Sequence, residues 1–135
     1  MKILIFLDYS SFTEKMLAAA KMLTDNMLNP QIMVVHVNDE RNFYSTTGIE
    51  TELGENMERE NAELRTACQQ YLGESVEFHE EFGIPKLKIF ESIEQLDYDL
   101  LIVGSHGNHG LGERLMGSIA EYILKHARTP VMIIP

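Results

Sequence analysis

Short apolar runs alternate with amphipathic stretches along the whole chain. Ile3 to Leu7 is a continuous apolar run, the pattern of a parallel strand covered on both faces. Ser11-Phe12-Thr13-Glu14 has the order of a capping box, and Met16, Leu17, Ala20, Leu23 and Met27 then recur on one helical face. Asn29-Pro30 predicts the stop of that helix. Ile32 to Val37 reads as the second strand. A long turn-rich linker from Asp39 to Gly54, with Thr46-Thr47-Gly48, leads into a second helix ending near Leu72.

Val76, Phe78 and Phe82 alternate with Glu77, His79 and Glu81, which predicts a half-buried edge strand. Gly83-Ile84-Pro85 turns the chain into a third helix, with Leu87, Phe90, Ile93 and Leu96 as its buried side. Leu100 to Val103 is the fourth strand, Ser118 to Ala127 the fourth helix and Val131 to Ile134 the last strand. This alternation, without internal repeat, predicts an α/β fold: a single domain over residues 1–135 built on a doubly wound, Rossmann-like parallel sheet of five strands with helices on both faces. In such a sheet a ligand crevice lies beyond the carboxyl ends of the central strands. Strands 1 and 4 are expected to flank it, which brings Asp8 near Gly104.

Composition sharpens the picture only in places. A chain of 135 residues is long enough for one core that buries roughly two-thirds of its unfolded surface. No apolar run approaches the roughly 20 residues that span a bilayer, and no basic segment with a cleavage signal precedes the first strand. A cytoplasmic location is therefore expected, in keeping with the single Cys68, which falls at helical spacing with Leu64, Tyr71 and Leu72 as a packing residue. The net charge of −10 repels nucleic acid and anionic membranes, and neither is expected as a partner. It also opposes any strongly anionic ligand, so a site for one would need backbone donors and a divalent cation, Mg²⁺ or Mn²⁺. Glu50, Glu52, Glu55, Glu58, Glu60 and Glu63 read as a solvated helical face, because they lack the alternating Asp/Asn and Gly of a calcium loop.

The chemistry concentrates in Gly104-Ser105-His106-Gly107, followed by Gly117-Ser118, between the fourth strand and the fourth helix. Glycine lets a backbone N–H approach an anion closely and aims successive N–H groups into one concavity. Ser118 is expected to cap the helix that follows, whose N-terminus presents unpaired N–H groups and the positive end of its dipole. A flexible loop followed by a plain helix cap is the alternative reading of the same residues.

The segment from Asp97 to Ile134 resembles the universal stress protein family, and in particular its nucleotide-binding branch, marked by G-x2-G-x9-G-[ST]. Gly104, Gly107, Gly117 and Ser118 match that pattern, and the similarity extends to Ile3–Asp8, Val34–Val37 and Gly83–Pro85. The resemblance implies the strand order 3-2-1-4-5 and a site for ATP, ADP or AMP. Asp8 would hold the adenine and ribose side, or else serve only to cap the next helix. Leu7, Val37, Val103 and Ile119 would form apolar walls, though each would serve equally as plain core. The resemblance implies backbone contacts to the phosphates from Gly104, His106, Gly107, Gly117 and Ser118, with Ser105 and the Ser118 hydroxyl nearby. It further implies a homodimer in which the Val131–Ile134 edges meet about a two-fold axis and bury Met132 and Ile134.

Two departures stand out. Many members follow the second motif glycine with Arg or Lys, where this chain has Asn108 and His109; a point charge lost at an exposed position is worth roughly 1 kcal/mol. Tyr9 stands where the family often has glycine, either packing over the ligand or narrowing the pocket. His106 and His109 have spacing that suits a metal, but no cysteine or obvious carboxylate accompanies them. A hydrolase is disfavoured by the missing G-x-S-x-G elbow, and a receiver domain by the absence of its phosphoacceptor Asp and its Lys. No G-x-x-x-x-G-K-[ST] lysine is present, so slow hydrolysis or self-phosphorylation is the most that is expected. The leading expectation is a nucleotide-dependent dimeric regulator of the stress response. The alternative is a dimeric adaptor with a vestigial motif.

Overall fold

The computed structural model describes residues 1–44, 50–105 and 116–135. In chain order they form β1 (Lys2–Phe6), α1 (Thr13–Thr24), β2 (Gln31–Asp39), α2 (Glu40–Tyr44), α3 (Glu50–Leu72), β3 (Glu77–Gly83), α4 (Pro85–Gln95), β4 (Leu100–Gly104), α5 (Ser118–His126) and β5 (Val131–Ile134). The five strands make one sheet in the order β3-β2-β1-β4-β5. Every pairing is parallel: Ile3 lies opposite Ile32 of β2 and opposite Leu100 of β4, which puts β1 at the centre. Winding runs from β1 outward through β2 to β3, then returns past β1 to β4 and β5. The reversal falls between β1 and β4.

Alternation along the strands divides the core into two layers. Ile3, Ile5, Leu7, Val34 and Ile102 point to one face, where Met16, Leu17 and Ala20 of α1 and Leu64 and Cys68 of α3 cover them. Leu4, Phe6, Val35, Leu101 and Val103 point to the other, under Ile89 and Ile93 of α4 and Ile123 of α5. Each fully buried side chain of this size contributes about 1.5–3 kcal/mol relative to exposure. A continuous apolar run in β1 is thus explained by helices on both sides. β5 is half-buried along its length, with Met132 and Ile134 packed against the first layer and Val131 and Ile133 against the second.

Several local expectations need correction. Ser11 does not cap α1: Phe12 occupies the cap position without a side-chain bond. The turn is organised instead by Ser10, whose hydroxyl accepts from the Phe12 N–H at 3.1 Å, and by Thr13, whose hydroxyl donates to the Asp8 carbonyl at 2.7 Å. Helix α1 stops at Thr24 rather than at Asn29-Pro30, because Asp25 and Asn26 favour turn conformations; Asn29 then takes the left-handed backbone (φ 49°) that starts the approach to β2. The linker after β2 contains the short helix α2. Long α3 ends where Gly73 adopts φ 91° and its N–H donates to the Gln69 carbonyl, the usual glycine termination.

The buried side of α4 is the expected one at Ile93, which is buried, and at Leu96, which packs on the second core layer, but not in the first half of the helix. Ile89, Ser92 and Ile93 face the sheet, whereas Leu87 is 60% and Phe90 36% exposed. Phe90 packs laterally instead, edge-on to Tyr122 of α5 at 6.1 Å between ring centroids.

Candidate nucleotide site

Beyond the carboxyl ends of β1, β2 and β4 opens a cleft of about 790 Å³. Its walls include Leu7, Asp8, Val37, Val103, Gly104, Ser105, Gly117, Ser118 and Ile119, so the fold brings together nine residues singled out from the sequence, although they span the chain from Leu7 to Ile119. His106 and Gly107, along with Asn108 and His109, lie outside the described residues.

On the β1 side, Asp8 heads the turn into α1. Its carboxylate accepts from the Ser10 hydroxyl at 3.2 Å, and the Ser10 N–H donates to the Thr13 hydroxyl at 3.0 Å. This mesh of short polar contacts fixes the loop's path, so the half-buried Asp8 stands at the mouth of the cleft. Asp8 does not cap α1, since that cap carries no side-chain bond.

On the β4 side, Ser105 is buried and its backbone holds two elements at once. Its N–H donates to the Ile134 carbonyl at 2.8 Å, and its carbonyl accepts from the Gly117 N–H at 2.5 Å. Helix α5 therefore starts beside the end of β4. Gly117, not Ser118, is the cap residue, with extended backbone (φ −70°, ψ 156°) and no side-chain capping bond. The N–H groups of the first turn have no partners within the helix, and they concentrate positive potential at the cleft. Ser118 is the first helical residue, exposed, with its hydroxyl beside those donors.

Elements that the sequence does not place beside this motif complete the walls. His36 is buried, and its Nδ1 lies 2.8 Å from the Leu7 carbonyl, so that nitrogen carries the proton and the ring braces β2 against the end of β1. Tyr9 packs against the first core layer and donates its hydroxyl to Glu63 of α3 at 2.5 Å, which raises its pKa. Its ring forms a wall fixed to α3. Arg41 and Asp39 form a pair with Nη2–Oδ2 at 2.6 Å and Nε–Oδ1 at 2.9 Å, and the carboxylate raises the guanidinium pKa. Phe43 meets Phe82 edge-on at 5.8 Å, joining α2 to β3 at the cleft rim.

Phe43, Phe82, Arg59 and Lys86 were not among the expected wall residues. Phe82 at the end of an alternating strand and Lys86 after Gly83-Ile84-Pro85 were the available signals, because one sits at the carboxyl end of β3 and the other opens the helix that follows it. Taken together, the cleft offers apolar walls from Leu7, Val37, Val103 and Ile119, a carboxylate at Asp8, and backbone donors at the start of α5. That combination suits a flat apolar ring, vicinal hydroxyls and an anion.

Comparison with known proteins agrees with this reading of the fold. The family model described as the universal stress protein family matches residues 1–135. Universal stress protein A homolog 1 of Coxiella burnetii is 30% identical over 98% of this chain and 94% of its own length. The solved structure of hypothetical protein MJ0577 superposes with a TM-score of 0.84 at 29% identity, covering 98% of this chain and 94% of that one. Sequence alignments to the universal stress proteins MJ0531 and MJ0577 of Methanocaldococcus jannaschii, each 38% identical, are local and span 36% and 32% of those proteins. A universal stress protein family protein from Arabidopsis thaliana, solved with AMP bound, shares the fold at a TM-score of 0.67 and 20% identity, over 99% of this chain and 90% of that one. The sheet order, the two-sided core and the whole-chain match together place this chain in the universal stress protein family.

Proposed function

We propose that the chain binds an adenine nucleotide in the cleft between β1 and β4 and that occupancy regulates a dimeric assembly in the stress response. The observation that carries this reading is the convergence of Asp8, Gly104, Gly117 and Ser118 on one cleft of about 790 Å³, a volume suited to a ligand of nucleotide size. Leu7, Val37, Val103 and Ile119 take the base, Asp8 takes the ribose hydroxyls, and the start of α5 takes phosphate with Ser105 beside it. AMP in the Arabidopsis relative supports the ligand class. ATP is the preferred candidate here, because the first-turn N–H groups of α5 and the Ser118 hydroxyl offer donors to phosphate, while the Gly117 N–H, held by the Ser105 carbonyl, serves to place that helix start.

Among the described residues no group of three or more His, Cys, Asp or Glu side chains is arranged to hold a metal. A Mg²⁺ or Mn²⁺ ion would accordingly enter on the triphosphate, which suits magnesium's habit of keeping phosphate and water ligands. Among the described residues no helix is long and apolar enough to cross a membrane, and a cytoplasmic role is part of this proposal.

Denaturing the purified protein and identifying released nucleotide by mass tests the ligand directly, and calorimetry tests its binding. Saturable heat with ATP and Mg²⁺ is expected. A ligand present at 100 times its dissociation constant adds about 2.7 kcal/mol of stability, so thermal unfolding must shift upward. An empty protein with neither heat nor shift at millimolar ATP would favour an adaptor whose motif is vestigial.

A further inference from the structure

We propose that Lys86 is the phosphate-selecting side chain of the cleft, an arm that leaves the ring of Tyr122 for the anionic end of a bound nucleotide. The inference rests on the nucleotide reading above and adds to it a residue outside the glycine motif. Two placements carry it. Lys86 lines the cleft, and its ammonium lies over the Tyr122 ring, 4.7 Å from the centroid.

Tyr122 follows Ser118 by four residues in α5, so the two share a helix face, separated by about 6 Å of rise. The ammonium thus rests about one turn from the helix start at which the phosphate is placed. Helices α4 and α5 pack side by side on one layer of the core through Ile89, Ile93 and Ile123, which keeps Lys86 within reach of that helix start. The flexible four-carbon stem of lysine spans such a distance by rotamer change alone.

Local stability does not account for this lysine. It occupies the first turn of α4, directly after Pro85, where a cation faces the positive end of the helix dipole and no acidic residue offsets it. Among the described residues no ion pair includes Lys86, in contrast to Arg41, which is held by Asp39. A ring face is a weaker partner for ammonium than a phosphate oxygen. An anion at the start of α5 therefore draws the arm away. Tyr122, stacked on His126 at 4.1 Å and flanked by Phe90, then loses its covering cation, and occupancy is reported on the outer surface of α4 and α5.

Calorimetry with Mg²⁺-ATP and with adenosine on wild type, Lys86→Gln and Lys86→Arg tests the assignment. Lys86 is exposed, so neither substitution disturbs the core. Lys86→Gln is expected to weaken ATP binding about tenfold and leave adenosine unchanged, with Lys86→Arg retaining most of the affinity. Ring resonances of Tyr122, assigned through Tyr122→Phe, are expected to shift when ATP is added to wild type and not when adenosine is added. Equal losses for ATP and adenosine, or wild-type ATP affinity in Lys86→Gln, would overturn the inference while the nucleotide reading stands. Absence of binding by wild type itself removes that reading, and this inference with it.

Discussion

The Ser105 carbonyl accepts a hydrogen bond from the Gly117 N–H at 2.5 Å, although 12 positions separate the two residues in sequence. Through this bond the end of β4 and the start of α5 are joined. Ser105 also donates to the Ile134 carbonyl, so the end of β5 is fixed to the same point. The orientation of the α5 dipole toward the cleft follows from this clasp, independently of the path taken by the chain in between.

Gly117→Val should abolish nucleotide binding and leave the fold intact. Gly117 has extended backbone (φ −70°, ψ 156°), which a β-branched residue adopts without strain, so the cost falls on the cleft and not on the turn. Calorimetry and circular dichroism check the two halves of this expectation. A folded variant with unchanged ATP affinity would remove Gly117 from the phosphate contacts.

Ser118→Ala should be nearly silent for stability, within about 0.5 kcal/mol, because α5 is capped at Gly117 without a side-chain bond. The same change should reduce ATP affinity by about 1 kcal/mol, the worth of one hydroxyl donor. Denaturant titration with and without ATP separates the effects. A large loss of stability in the unliganded variant would mean that the hydroxyl caps the helix after all.

Cys68 supplies a pH dependence. Burial pushes its thiol up to about 12 from 9.0, so the folded chain keeps a proton that the unfolded chain releases. The folded pKa is raised, and the resulting stability is complete below pH 9.0 and is lost as the pH climbs toward about 12. Urea unfolding of wild type and Cys68→Ala across this window is expected to show a steeper alkaline loss in wild type. Native Cys68 should also resist alkylation until the chain unfolds.

The β5 edge can be probed without touching the core. The carbonyls of Pro130 and Ile134 accept from Leu101 and Ser105 of the β4 side, so alternation turns the backbone of Val131 and Ile133 outward. Charged replacements at Met132 and Ile134, both packed on the first core layer, would strain the fold as well as any contact. Ile133→Pro instead removes one outward N–H, a change that edge strands tolerate. If two copies pair through this edge, sedimentation should show a monomer with an unchanged circular dichroism spectrum. A dimer of undiminished affinity would place the interface elsewhere.

The sequence by itself determined the alternation of elements, because covered strands and one-sided helices write different periods into the chain. It also marked Asp8, Gly104, Gly117 and Ser118, since strand ends and glycines announce themselves locally. On α4 the pattern marks Ile93 and Leu96 correctly, but Leu87 and Phe90 keep helical spacing with them as well as Ile89 does, and only packing against the sheet selects Ile89. The role of Ser10 in place of Ser11 was likewise decided by where the Asp8 carbonyl and Thr13 meet. Phe82 and Lys86 are marked by their places around the end of β3, but the pairings of Tyr9 with Glu63, Phe43 with Phe82, and Lys86 with Tyr122 are not. Such pairs join residues far apart in the chain, and no local period encodes them. They exist because parallel strands joined by right-handed crossovers gather the strand ends at one edge of the sheet, and only the folded chain decides which side chains meet there.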